Sequence, residues 1–243
     1  MEMYGDFEAI REIASGPRSV LYAARAKAGG GAEFAIKILR PVESVDSPVV
    51  APTDSEHLAP DPQLEFLQAV KCQKKASHQK ASSFAPVHAF GSDARGAWYV
   101  TDYYPRGSVK KLILGRYAAD ERDVYHLARS LLRGLLDLKK YCGRSHGNLH
   151  ASNILLGGRS GQRLSRSRVV LGDLAAGTDR DSARLELADL RGIGEVVYQL
   201  VRRREVHAVD HWPLAASEEW STLGKHGEDW RGLCNRLCDP SLS

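Results

Sequence analysis

The chain has 243 residues, 43% of them hydrophobic and 26% charged, with a net charge of +4. That length suits one large domain or two small lobes, and the apolar content is enough for a real core. The charge is too weak to argue for nucleic acid, and no run approaches the roughly 18 apolar residues that a membrane span needs.

The start, Met1 to Asp6, is acidic and lacks the basic-then-apolar order of a signal peptide. The expectation is a cytoplasmic protein, or the soluble piece of a longer one. The four cysteines are Cys72, Cys142, Cys234 and Cys238. Their spacings match neither a zinc knuckle nor a disulfide framework. Cys234 and Cys238 share a face if helical, which fits two core thiols and leaves a metal or redox pair as the alternative.

In chain order, residues 7–25 alternate like two strands around Ser15-Gly16-Pro17-Arg18. Ala32 to Leu39 reads as a third strand. From Pro41 to Pro62 there are five prolines, which predicts a long loop. Leu64 to Ala76 is a predicted helix with Leu64, Leu67, Val70 and Cys72 as its apolar stripe. Pro86–Phe90 and Ala97–Tyr103 are two further strands.

Beyond Tyr104-Pro105-Arg106-Gly107 helices dominate. Asp123 to Lys140 carries Val124, Leu127, Leu131, Leu135 and Leu138 at helical spacing. Ile154–Leu156 and Val169–Leu171 flank a turn and predict a hairpin. The Arg- and Ser-rich stretch from Arg159 to Arg168 reads as its solvated tip, with docking of an acidic or phosphorylated partner as the alternative. Glu186 to Val201 is another helix, followed by Arg202-Arg203-Arg204, which complements the negative end of its dipole. Strands first and helices later predict an α+β fold in two lobes, residues 1–104 and 105–243.

Three short motifs carry chemistry. Phe34-Ala35-Ile36-Lys37 ends the third strand. His146-Gly147-Asn148-Leu149-His150-Ala151-Ser152-Asn153 follows the long helix, and Gly172-Asp173-Leu174-Ala175 follows the hairpin. Together they resemble the protein kinase family, whose strand V-A-I-K, catalytic loop H-R-D-x-x-x-x-N and D-F-G stand in this order. The resemblance implies the protein kinase-like fold, a small β-rich N-lobe and a helical C-lobe, with the family's last helix cut off at the C-terminus.

By that resemblance, Lys37 would pair with the α- and β-phosphates of ATP, and Ala35 would make room for the adenine. Thr101 would stand beside the adenine, with Asp102 and Tyr104 offering backbone groups. Leu21 and Leu155 would line the nucleotide. Asn153 and Asp173 would hold Mg2+, as hard oxygen ligands do. Aligning Leu21-Tyr22 with the end of the family's glycine-rich loop leaves Gly16 as its one surviving glycine. Either Glu65 or Gln68 would face Lys37.

The departures matter as much. Asn148 stands at the seat of the catalytic Asp, and a carboxamide takes no proton near neutral pH. Gly147 and His150 replace an Arg and a Lys. Asp189-Leu190-Arg191-Gly192-Ile193-Gly194 resembles the family's D-x-W-S-x-G helix start, yet it follows Asp173 by sixteen residues (189 − 173), with no A-P-E anchor. The resemblance thus implies a pseudokinase: no catalytic residue, ATP or ADP with Mg2+ as ligand, a protein partner in signalling, no membrane and no nucleic acid. Two alternatives stay open. His146 to His150 also resembles the H-G-D-L-H loop of small-molecule kinases such as the aminoglycoside phosphotransferases. The missing glycines leave room for an interaction scaffold that binds no nucleotide.

Overall fold

The computed structural model describes residues 2–31, 33–41, 61–79, 83–177 and 182–242. They form two compact units. One comprises Met1–Lys74 and Pro86–Tyr103, the other Lys75–Ala85 and Tyr104–Ser243.

The first unit is built on an antiparallel sheet of six strands. They are β1 (Glu2–Tyr4), β2 (Phe7–Ser15), β3 (Ser19–Ala26), β4 (Glu33–Leu39), β5 (Val87–Asp93) and β6 (Gly96–Asp102), in the spatial order β1-β2-β3-β4-β6-β5. The predicted strands are all present, and β1 adds to them. Gly5, at φ +60°, turns the chain in a two-residue hairpin loop, where glycine is favoured. Tyr4 then anchors β1: it is 1% exposed, its ring meets Trp98 edge-on at 5.7 Å, and Arg95 lies over it at 4.0 Å.

Strand alternation sorts the two faces. Val20, Ala24, Ile36, Ile38, Trp98 and Val100 pack with Tyr4 as one core cluster. The intervening residues lie on the other face. Part of that face is covered by α1 (Pro62–Ser77), whose Phe66 and Val70 pack on Val87, Ala97 and Tyr99. The buried stripe of α1 is Phe66, Ala69, Val70, Gln73 and Ala76, and Leu64 is 53% exposed. Of the expected stripe, Val70 is buried, Leu67 packs against the cluster and Cys72 is half-buried, while Leu64 lies in the first turn, on the outward side. The Pro41–Pro62 segment falls, apart from its ends, outside the described residues.

The second unit holds α2 (Val109–Leu114), α3 (Glu121–Cys142), the hairpin β7 (Ile154–Gly157) and β8 (Arg168–Leu171), α4 (Ser182–Arg202), α5 (Glu218–Ser221) and α6 (Gly227–Leu237). Helix α3 starts at a capping box, in which Asp120 accepts from Asp123 N at 2.9 Å and Asp123 accepts from Asp120 N at 3.3 Å. It stops at Gly143, left-handed at φ +68°. Val124, Leu127, Leu131 and Leu138 are fully buried, as their spacing predicts. Gly134 lies mid-helix because a Cβ there would meet Leu171 Cδ1 at 2.5 Å.

The Arg159–Arg168 stretch is exposed at Arg159, Ser160 and Gly161, as a solvated tip should be, but its second half packs. Leu164 is fully buried, and Asp123 accepts from Ser165 N at 2.7 Å and from Arg163 at 2.5 Å. Arg106 donates to Gln162 O at 2.6 Å. These bonds pull the basic stretch onto the start of α3, and composition alone could not show their partners. Cys234 and Cys238 are both buried free thiols, raised above the usual range by burial, as core thiols should be. No described helix is long and apolar enough to cross a membrane.

Candidate functional site

In the first unit, register gathers the predicted nucleotide residues on one side of the sheet. Ala35 pairs with Ala23 and Thr101, and Lys37 pairs with Leu21 and Tyr99. Directly paired residues in an antiparallel sheet point the same way. Leu21, Ala35, Lys37 and Thr101 therefore share the face opposite the Ile36–Ile38 core. The strip is formed of small residues beside a cation. Thr101 is 6% exposed, and its Oγ1 finds no hydrogen-bond partner among the described residues. An orphaned buried hydroxyl costs stability, so it marks a position that a ligand could satisfy.

Gly16 lies in the β2–β3 turn, where its N–H donates to Ser19 O at 2.9 Å. That amide is spent within the turn, and Pro17 has none to give. The Asp102 carboxylate is turned to His88 Nε2, 2.7 Å away. On α1, Glu65 is half-buried and Gln68 exposed.

In the second unit, the His146–Asn153 loop is sewn to the Gly172–Ala175 turn. His146 is fully buried, and burial depresses its pKa to about 4. It is thus neutral at pH 7. Its Nδ1 accepts from Asn148 N at 3.3 Å, and its Nε2 reaches Gly172 O at 3.1 Å. Ala175 N donates to His146 O at 3.0 Å. The Asn148 side chain adds a third stitch, its Nδ2 donating to Asp173 O at 3.2 Å. Asn153 Nδ2 in turn donates to Asn148 O at 2.9 Å.

Beneath the loop lies Asp189, 3% exposed, on α4. Its two oxygens accept from His146 N at 2.7 Å and Gly147 N at 2.8 Å. Burial pushes its pKa up to about 6 against the pull of these amides, so it is ionised at pH 7. Gly147 has φ +71°, the left-handed turn that aims two successive N–H groups at one carboxylate. Gly192, one helical turn after Asp189, lets α4 approach the loop: a Cβ there would lie 2.5 Å from Leu149 O.

Asp173 has φ +63°, a conformation that costs a non-glycine residue about 1–2 kcal/mol. Such strain is retained where a side chain must be held in place. Asn153 (9% exposed) lies beside the turn that carries Asp173, its carbonyl accepting from Gly172 N at 3.0 Å, and each of the two has a side-chain oxygen. Leu155 is the second residue of β7, and its Cδ1 would lie 3.6 Å from a Cβ at Gly172. Tyr104 opens the second unit, its carbonyl accepting from Gly107 N at 2.8 Å. Among the described residues no group of three or more His, Cys, Asp or Glu could hold a metal ion. A cation at Asn153 and Asp173 would need further oxygens from phosphate or water, which suits Mg2+ brought in with a nucleotide.

The clamping role of Asp189 was not read from the sequence. Its position in the D-x-W-S-x-G resemblance was visible, but that a carboxylate there would cap loop amides 42 and 43 residues away needed coordinates.

No protein-family model matches the chain. Over 99 residues, 38% of the chain, it is 32% identical to an inactive leucine-rich repeat receptor-like serine/threonine-protein kinase of Arabidopsis thaliana. The match spans 15% of that relative's length. The kinase domain of PknI from Mycobacterium tuberculosis is similar in structure. A single-site mutant of it superposes with a TM-score of 0.64 at 15% identity, covering 99% of this chain and 90% of that one. The unmutated domain gives 0.63 at 14% identity over the same shares. With its curled antiparallel sheet, its helical second unit and the sewn loop in place, the chain has the protein kinase fold.

Proposed function

We propose that the chain is a pseudokinase: a kinase-fold module of the cytoplasm that binds ATP or ADP with Mg2+ and acts on a protein partner without transferring phosphate. One observation carries this reading. Asn148, at the seat of the general base, uses its side chain as a hydrogen-bond donor to Asp173 O. An ionised carboxylate cannot donate, and a carboxamide cannot accept a proton at pH 7. The residue is a strut. The buried carboxylate nearest in the hydrogen-bond network, Asp189, has both oxygens engaged by backbone amides and cannot stand in.

For the nucleotide, Ala35, Leu21 and Thr101 offer a flat, largely apolar strip, with Lys37 as the phosphate cation. Asn153 and Asp173 would hold Mg2+, which would neutralise phosphate charge when bound. Gly16 would add little, since its amide is already engaged. This supports binding of modest affinity. The relative named as inactive agrees with the reading.

The test combines two measurements. Purified protein is incubated with γ-labelled ATP and Mg2+, alone and with a generic protein substrate. Its melting temperature is recorded with and without ATP and Mg2+. At ten times Kd, linkage adds about 1.4 kcal/mol, or roughly 3–6 °C for a chain of this size. The expected result is no label transfer above the Lys37→Ala background, with a thermal shift that Lys37→Ala abolishes. Lys37-dependent transfer to protein, or turnover of small alcohols or amines, refutes the proposal. No shift at millimolar nucleotide refutes its nucleotide part and favours the scaffold.

A further inference from the structure

Four arginines from two separate stretches of the second unit line one open cavity of about 680 Å³. Arg116 follows α2, Arg202 ends α4, and Arg203 and Arg204 come directly after it. Glu218 and Glu219 of α5 line the same cavity.

Arginines after a helix C-terminus answer its dipole, which accounts for Arg202–Arg204 in part. Arg116 likewise follows the C-terminus of α2, so the dipoles suit each stretch but do not require the two to share one cavity. Arg202 is neutralised, 2.7 Å from Glu219 and 3.3 Å from Ser217 Oγ. The Glu219 carboxyl is held below its usual range, chiefly by Ser217, so that pair is charged on both sides. Among the described residues, Arg116, Arg203 and Arg204 make no ion pair. The next acid along, Glu205, is taken by Lys110 at 2.7 Å.

Arg116 has φ +53° and Arg203 φ +54°. Both are left-handed, where a long side chain is strained and glycine is not. Two strained positions on separate elements present like charges to one cavity. The left-handed turns serve the fold, closing the ends of α2 and α4 through Tyr117 N to Leu112 O and Arg204 N to Gln199 O, but the repulsion between like charges does not, and it points to an anion that the folded protein receives.

The chemistry of the lining narrows the ligand. All the cations are arginine, whose planar forks suit bidentate contact with a tetrahedral oxyanion. Glu218 and Glu219 stand against a continuous polyanion, so a nucleic acid or an anionic bilayer fits poorly. They would accept hydrogen bonds from amides or a basic residue flanking a single compact anion. The volume suits a few residues of a peptide. We infer that this cavity docks a phosphorylated side chain of a partner polypeptide, held by Arg116, Arg203 and Arg204. The site is independent of whether nucleotide binds elsewhere.

The test uses the whole chain on an array of degenerate peptides centred on phosphoserine, phosphothreonine or phosphotyrosine, each beside its unphosphorylated twin. The best pairs are then titrated by fluorescence anisotropy. The expected result is at least tenfold tighter binding of the phosphorylated twin. Arg116→Gln and Arg203→Gln should each weaken it at least fivefold, and Arg129→Gln, which removes an exposed charge on α3, should not. Arg116→Gly and Arg203→Gly should lose binding with no fall in melting temperature, because glycine relieves the left-handed strain. A structural role would lower it. The inference fails if no phosphopeptide outbinds its twin, if the preference survives the Gln variants, or if the Gly variants melt lower. It also fails if an oligonucleotide or phosphatidylserine vesicles compete better than the peptide.

Discussion

Asp189→Asn isolates what holds the central loop together. The wild-type carboxylate accepts from His146 N at 2.7 Å and from Gly147 N at 2.8 Å. An Asn has one acceptor, so its NH2 must face one of these donors. The change loses a charge-assisted bond, about 1.5–3 kcal/mol, and leaves a buried N–H unsatisfied, about 1–3 kcal/mol. The sum is about 3–5 kcal/mol, or roughly 6–20 °C in melting temperature at pH 7.

The pH profile gives a second readout. Burial lowers the pKa of His146 from 6.5 to about 4. Between those values the unfolded chain binds the proton better, so stability falls as pH drops from 6.5 to 4, by about 3 kcal/mol in all. Burial raises Asp189 from 3.8 to about 6, so the folded chain binds the proton better there and its contribution falls as pH rises. In the wild type the two slopes nearly cancel. In Asp189→Asn only the histidine slope remains. Melting curves from pH 4 to 7 by circular dichroism should therefore be nearly flat for the wild type and rise with pH for the variant. A loss below 2 °C at pH 7, or a flat variant profile, refutes the clamp.

Three further outcomes are expected. Gly192→Ala brings a Cβ to 2.5 Å from Leu149 O, and should cost about 1–3 kcal/mol in chemical denaturation; an unchanged midpoint would show that α4 does not pack as described. Thr101→Val removes an orphaned buried hydroxyl, and without nucleotide it should leave the melting temperature unchanged or raise it, by about 1 kcal/mol at most. A clear fall would mean that the hydroxyl is satisfied. Asn148→Asp exchanges a donor for a charged acceptor facing Asp173 O, and should lose about 0.5–1.5 kcal/mol without starting phosphoryl transfer. Robust labelling by that variant would show that one side chain alone had silenced an otherwise competent kinase.

Much of the fold could be read without coordinates because it rests on local periods. Two-residue alternation over residues 7–25, the short apolar runs of β4 and β6, and the apolar spacing of α3 each mark buried chain within a few neighbouring residues. The motifs around Lys37, Asn148 and Asp173 were legible for the same reason, as short runs of fixed spacing. What tertiary structure decided is every question of who meets whom. Asp189 reaching back to His146 and Gly147, Leu164 sinking against α3, Leu64 facing outward and Arg116 joining Arg203 all depend on approaches between segments far apart in the chain. Side-chain type sets which bonds are allowed, but only packing sets which partners come within 3 Å.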